Sequence, residues 1–218
     1  MVILSFDIGI KNLAYCTLCK DTQNIKQWGI LNISCDEVCT HISSKGISCE
    51  KSATYDINGN YFCTNHIKLK YNKGKSKKKI KTNNTIYNIG RKLINELDKT
   101  FQSNEYDEII IENQPSLKNP TMKSIQMIVY TYFLIKTTVK VEMVNARNKL
   151  KVYKGPVILT PYTNDKKNKY KNNKYLAIKY CSSMIQNQNK TFIELYETSK
   201  KKDDLADCYL QAIYWINK

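Results

Sequence analysis

Glycine is scarce in this 218-residue chain: there are seven, and no two are adjacent. That leaves no glycine-rich loop to cradle nucleotide phosphates. Long apolar runs are missing too. None approaches the roughly 18–20 residues of a membrane span, and no basic amphipathic helix points to a membrane surface. The opening MVILSFDIGI lacks the basic region and small-residue cleavage site of a secretory signal. The expectation is a soluble intracellular protein with no membrane partner. The eight cysteines therefore lack the setting in which disulfides form. No internal repeat is evident at a period of 20–50 residues.

Acid is also in short supply. Nineteen Asp and Glu face 35 Lys and Arg, for a net charge of +16. Residues 67–83 carry eight lysines and no acid, and residues 165–174 carry five lysines and one acid. Such blocks read as solvated segments whose partner is a polyanion, and the two together favour nucleic acid.

The hydrophobic pattern orders the chain. Residues 2–7, 13–19 and 25–33 read as three strands of an antiparallel meander. Residues 34–69 break the pattern and hold both histidines and half of the cysteines. Residues 70–83 read as a basic flexible linker. A helix follows Thr85 as N-cap, with Ile86, Ile89, Leu93, Leu97 and Phe101 at spacings of three and four. EYDEIIIENQP is a strand, Pro120 opens a helix to 136, and KVEMVNA is a further strand. Helices over 170–187 and 203–217 complete the pattern. Strands in a meander followed by crossovers predict a mixed α/β sheet.

The scarce acids are placed where they cost most. Asp7 ends the first apolar strand and Glu112 ends the strand IIIE. An acid at the end of a buried strand needs a partner or a metal. In KKKDDLADC, Asp204 and Asp207 are three apart, so they share a helix face and repel unless a cation lies between. Four carboxylates from these elements suit Mg²⁺ or Mn²⁺. Two such ions could drive phosphodiester hydrolysis. Asp203 is read as a helix N-cap.

Within the insertion, Asn58-Gly59 signals a hairpin. Folding it brings Cys49 toward Cys63 and His66, with Cys39 beyond a turn at Lys45-Gly46. Cys39, Cys49, Cys63 and His66 predict one tetrahedral zinc site per chain, with Cys35 or His41 as alternatives to Cys39. In an insert this small the metal would supply folding energy. Cys16, Cys19, Cys181 and Cys208 read as buried thiols.

Three ordered motifs, SFDIGIKNLAYC, IIIENQPSLKNPTMKSIQ and KKDDLADCYLQ, resemble the poxvirus-type Holliday junction resolvases. These belong with bacterial RuvC and the yeast mitochondrial cruciform-cutting enzyme in the RNase H-like superfamily. The resemblance implies an RNase H-like mixed five-stranded sheet flanked by helices, formed by residues 1–33 and 84–218. It also implies a metal-dependent homodimeric endonuclease of four-way DNA junctions, and suggests a large DNA virus replicating in host cytoplasm. Asp7, Glu112, Asp204 and Asp207 fall at the family's metal acids. Lys201 or Lys202, and Lys202 above all, would neutralise transition-state charge. Lys11, Asn12, Gln114 and Lys123 are candidates for DNA contact, as are Lys75, Lys77, Lys78 and Lys79 in the basic block. The zinc-ribbon-like insertion departs from the compact resolvase pattern. Competing readings are an RNA–DNA hybrid or transposase-like nuclease, an actin-like ATPase opened by the same D-x-G, and a non-catalytic zinc-bearing DNA-binding protein.

Overall fold

The computed structural model describes residues 1–81, 83–101, 106–163 and 165–218. It divides into two compact units, residues 1–33 with 93–218, and residues 34–92. No helix among the described residues is long and apolar enough to cross a membrane.

The larger unit is built on a five-stranded sheet. Its strands are β1 (Val2–Ile8), β2 (Asn12–Cys19), β3 (Ile25–Asn32), β7 (Glu108–Glu112) and β8 (Lys140–Val144). The smaller unit supplies β4 (Tyr55–Ile57), β5 (Asn60–Phe62) and β6 (Lys78–Lys79). The large sheet has the order β3-β2-β1-β7-β8. The meander β1–β2–β3 is antiparallel, while β7 runs parallel to β1 and β8 parallel to β7. This is the mixed five-stranded sheet that the sequence predicts. β1 and β7 are near-continuous apolar runs because both their faces are covered. Gly9 makes the β1–β2 turn possible: a Cβ there would lie 2.5 Å from the Asn12 carbonyl oxygen. The D-x-G motif is thus explained by a close backbone approach.

The helices are α1 (Ile86–Phe101), α2 (Pro120–Lys136), α3 (Lys169–Met184), α4 (Lys190–Thr198) and α5 (Lys202–Ile216), and a 3-10 segment covers Ala146–Val152. Thr85 caps α1 by accepting the Asn88 amide at 3.2 Å. Asn119 caps α2 by accepting the Met122 amide, with Pro120 at the first helical position. In the larger unit, two of the described elements lie outside the sequence reading. The 170–187 helix stops at Met184, and a separate α4 follows. α4 is held by Tyr196, which is fully buried, stacks on Trp28 at 5.4 Å and donates to the Ile178 carbonyl. The 3-10 segment after β8 is the second.

Alternation along β1 divides the core. Phe6 packs against Phe101 of α1 and Phe133 of α2. Ser5 faces the other way and accepts a bond from Gln211 of α5 at 3.1 Å. Ile3 and Ile110 lie on the α5 side, against Tyr214, Trp215 and Ile216. Period two then places Asp7 and Glu112 on that same face. They are neighbours, one step beyond the Phe6–Ile111 pair of the parallel register.

In the smaller unit β4 pairs with both β5 and β6. Asn58 and Gly59 have φ of 50° and 83°, as a type I′ hairpin requires. Entry and exit are tied together: the Asn84 side chain accepts the Cys35 amide at 2.7 Å, and Lys92 donates to the Ser34 carbonyl at 2.6 Å. Residues 70–83, expected as a flexible linker, carry regular structure among their described residues, which leave out residue 82. Residues 70–72 form a 3-10 turn, Lys78–Lys79 form β6, and the Ile80 amide donates to the Thr54 carbonyl at 2.9 Å. Lysine-rich composition reports solvated side chains. It does not prevent the backbone from completing a sheet edge.

Candidate active site and metal centre

Three carboxylates meet at the carboxyl ends of β1 and β7. Asp7 comes from β1, Glu112 from β7 and Asp207 from the second turn of α5. Asp7 and Glu112 are within hydrogen-bonding reach of each other. Burial, then the charge of Glu112, pushes the Asp7 carboxyl well above the ordinary carboxylate range. Asp207 is raised as well, by burial first. Such a cluster is unfavourable unless a cation compensates it.

The compensating charge inside the protein is Lys149, from the 3-10 segment after β8. Its ammonium lies 2.6 Å from Asp207 Oδ2 and 3.6 Å from Glu112 Oε1. The side chain is only 15% exposed. Burial alone would lower its pKa, but Asp7, Asp207 and Glu112 outweigh burial and hold it above the usual lysine value. Sequence reasoning missed this residue. Its only signal was position, just beyond the end of a strand parallel to the acid-bearing one, and the lysine-rich composition masked it.

The other expected residues separate into groups. Asp204 lies within hydrogen-bonding reach of Asp203. Its carboxyl is raised to about 6, by burial and then by Asp203. Asp203 is not the N-cap of α5. That position is Lys201, and Asp203 pairs with Lys174 of α3. Lys202 is a further correction: it pairs with Glu197 at 3.0 Å and lies over the Tyr196 ring, away from the three acids. Helix geometry sends the first-turn lysine toward α4, which the sequence reading did not contain. Lys123 donates to Asn113 Oδ1 at 3.0 Å and Gln126 Oε1 at 3.2 Å, which places it against the loop after Glu112. Gln114 is buried, and its amide donates to Gln126 Oε1 at 2.8 Å. Lys11 is exposed in the β1–β2 turn and Asn12 begins β2. Lys75, Lys77, Lys78 and Lys79 are exposed on the smaller unit.

The smaller unit gathers Cys39, Cys49, Cys63 and His66, whose ligand atoms all lie within 4.8 Å of one another. His66 Nδ1 is 3.4 Å from Cys39 Sγ and 3.6 Å from Cys63 Sγ, and the Cys49 and Cys63 sulfurs are 4.0 Å apart. A tetrahedral Cys₃His metal site has edges of roughly 3.6–3.8 Å. The donor set therefore fits such a site with little movement. Burial, His41 and Lys51 lower the His66 pKa, which favours the neutral ligand form. The alternative ligands stand outside. His41 packs its ring on His66 at 3.9 Å and bonds Tyr71 through Nδ1. The Cys35 amide is engaged by Asn84. Cys16, Cys181 and Cys208 are buried free thiols, and Cys19 is partly exposed.

Comparison with known proteins places this geometry. The curated protein L451 of Acanthamoeba polyphaga mimivirus, itself uncharacterised, is 35% identical over 209 residues, covering 83% of this chain. The chain spans about half, 49%, of that relative's length. The crystal structure of the yeast mitochondrial Holliday junction resolvase Ydc2 matches 98% of this chain and 78% of its own, at TM-score 0.53 and 14% identity. Fowlpox virus resolvase, solved with its substrate Holliday junction DNA, matches 100% and 97%, at TM-score 0.54 and 15% identity. These two likenesses establish the fold. The resemblance drawn from the three motifs is borne out, because the family described as mitochondrial resolvase Ydc2 / RNA splicing MRS1 matches residues 3–116, more than half of the sequence, and this chain belongs to that family.

Proposed function

We propose that this protein is a divalent-cation-dependent endonuclease that resolves four-way DNA junctions. The family also takes its name from an RNA splicing protein, so membership alone does not decide the activity. The carrying observation is the convergence of Asp7, Glu112 and Asp207 around Lys149. A protein that only binds nucleic acid has no use for three converging, largely buried acids where its two central strands end against α5.

Hard carboxylate oxygens in this number fit Mg²⁺ or Mn²⁺, two ions per site in the reading adopted here. Bound there, the cations would make water a nucleophile at neutral pH and stabilise the departing oxygen. The chain's own groups do the rest. Asp7, Glu112 and Asp207 would hold the cations, and Asp204, one turn earlier on α5, would complete the set by turning from Asp203 toward them. Lys149, whose ammonium lies against Asp207 and Glu112, would offset the charge that develops on the phosphate. It replaces Lys202 in that role. Hydrolysis forms a bond from water oxygen to phosphorus and breaks the bond to the 3′ oxygen, leaving a 5′-phosphate and a 3′-hydroxyl. Lys123, with Lys11 and Asn12, contacts phosphates beside the site.

A junction is two-fold symmetric and needs two cuts, so the working form is a homodimer. The Cys₃His centre takes one zinc, because soft thiolates in a closed tetrahedral set suit it. The fold of the fowlpox resolvase and the mimivirus relative support a viral setting, with the host cytoplasm as the place of action.

Incubation with a synthetic four-way junction and Mg²⁺, beside duplex and RNA–DNA hybrid, tests the reading. Paired symmetric nicks in the junction are expected. Cutting of the hybrid with the junction left intact would assign the chain to the other nuclease class.

A further inference from the structure

The smaller unit carries an unusual charge distribution. Residues 57–95 hold ten Lys or Arg and no Asp or Glu. Lys68, Lys70, Lys73, Lys75, Lys77, Lys78, Lys79 and Lys81 are all exposed. Tyr71, in the same stretch, is 51% exposed. A solvated coil of this composition would hold no fixed course. Here the course is set, and the contacts that set it lead to the Cys₃His centre.

Three links make the connection. Asn72 is buried and its side-chain amide donates to the carbonyl of the ligand His66 at 3.0 Å. Tyr71 bonds His41 at 3.0 Å, and the His41 ring packs on His66. β6, which carries Lys78 and Lys79, pairs with β4, and β4 is the hairpin partner of β5, which runs directly into Cys63. The unit's own apolar core is small: Ile57, Phe62 and Ile67, with Cys39 and Cys63. A core of that size does not fold a segment of about 60 residues without a staple.

We propose that the Cys39/Cys49/Cys63/His66 centre, when it holds its metal, organises the lysine segment 68–81 into a second nucleic-acid grip. The occupancy of this centre would then set affinity for DNA of any shape, while the chemistry at Asp7, Glu112 and Asp207 proceeds independently. The partner is the phosphate backbone of duplex DNA. Lysines displayed on a sheet edge and a turn neutralise phosphates without reading bases. The inference takes from the nuclease reading only that the partner is nucleic acid.

The test uses the full chain and three variants. Cys63→Ser removes a metal ligand. Asn72→Ala cuts the link to His66 with all four ligands kept. Lys78→Ala/Lys79→Ala removes charge alone. Zinc content, trypsin cleavage within 68–81, and binding to duplex and junction without Mg²⁺ are measured across salt concentrations. The parent should contain zinc and resist trypsin in this segment. Cys63→Ser should lose zinc, be cut rapidly, and bind duplex and junction about tenfold or more weakly, with a flatter salt dependence. Asn72→Ala should keep zinc yet show the same direction of change, which covers the case in which Cys63→Ser does not fold. Lys78→Ala/Lys79→Ala should bind both DNA shapes more weakly with zinc and trypsin resistance unchanged. Parent-like DNA binding by the zinc-free protein, or a parent without zinc, would overturn the proposal. Binding to anionic phospholipid vesicles is measured alongside, and its loss in Lys78→Ala/Lys79→Ala with DNA binding unchanged would also overturn the proposal, since the lysines would then serve a membrane. A parent that grips DNA in this metal-dependent way but cuts no junction would sink the nuclease reading and leave this inference standing.

Discussion

The Lys149 ammonium lies 2.6 Å from the Asp207 carboxylate, carried there by the segment that follows β8. One buried cation therefore answers three converging carboxylates. The balance is incomplete, and it leaves room for divalent cations at the same oxygens. Lys149 is an internal counterion to these acids, and under the proposed function it would become a charge stabiliser in the loaded protein.

Lys149→Met separates those roles. Cleavage should fall by roughly 10²–10³, as when a single charge-stabilising donor is removed from an active site. Junction binding should stay near normal, because affinity rests on many phosphate contacts. The metal-free variant should also melt at a lower temperature near pH 7, and Mg²⁺ should restore most of the difference. Unchanged cleavage would remove Lys149 from the site.

Asp7→Asn, Glu112→Gln, Asp204→Asn and Asp207→Asn should each abolish cutting with junction binding retained. Asp203→Asn should be milder, since Asp203 pairs with Lys174 beside the cluster. Substantial cutting by Asp204→Asn would mean that its orientation toward Asp203 is also its working one, and that three acids suffice.

Legibility in the sequence follows the number of meanings a residue can have. An acid closing a run such as VILSF or EIII has few structural explanations, so Asp7 and Glu112 could be picked out. The same holds for Cys and His spaced around an Asn-Gly turn. A lysine in a chain with 35 Lys and Arg has many explanations, so Lys149 was hidden and Lys202 was chosen for its nearness to the acid pair. α4 was hidden because its nine residues offer a single fully buried anchor, Tyr196, whose partners Trp28 and Ile178 are distant in sequence. The course of 70–83 depended on pairing of β6 with β4, a tertiary event that composition does not encode.

The acid cluster makes a pH prediction for the metal-free protein. Asp7, Asp207 and Asp204 all have raised folded-state values. The folded state then binds more protons than the unfolded state above about pH 4, so stability falls as pH rises through the folded values. For Asp204, raised from 3.8 to about 6, the upper limit is about 3 kcal/mol. Solvent screening of its partly exposed side chain reduces that. Denaturant melts in chelator should show greater stability at pH 5 than at pH 7.5, with Mg²⁺ closing the gap at pH 7.5. Equal stability at both pH values would mean the cluster is not strained.

Cobalt offers a direct view of the Cys₃His centre. Replacement of zinc by Co²⁺ should give about one ion per chain and the intense visible bands of a tetrahedral thiolate site. Cys49→Ser should shift those bands. His41→Ala should leave them, because His41 lies outside the four ligands. Loss of the bands in His41→Ala would exchange it for one of the four.

The last prediction concerns symmetry. Met127, Leu134 and Ile135 of α2 are 40%, 53% and 77% exposed. Spacings of seven and eight place them along one side of the helix. The inward side of α2 is already filled by Ile125, Val129, Tyr132 and Phe133. If this outer stripe carries the two-fold contact, Leu134→Glu should shift sedimentation from dimer to monomer without unfolding the chain, since Leu134 contributes nothing to the core. A monomer retains a complete acid cluster, so it should still nick. It should not cut both strands of one junction in a single encounter. On a plasmid with an extruded cruciform, the parent should give linear product and the variant nicked circles. Linear product from a sedimentation-proven monomer would show that paired cutting does not need two copies held together, and the homodimer would have to be abandoned.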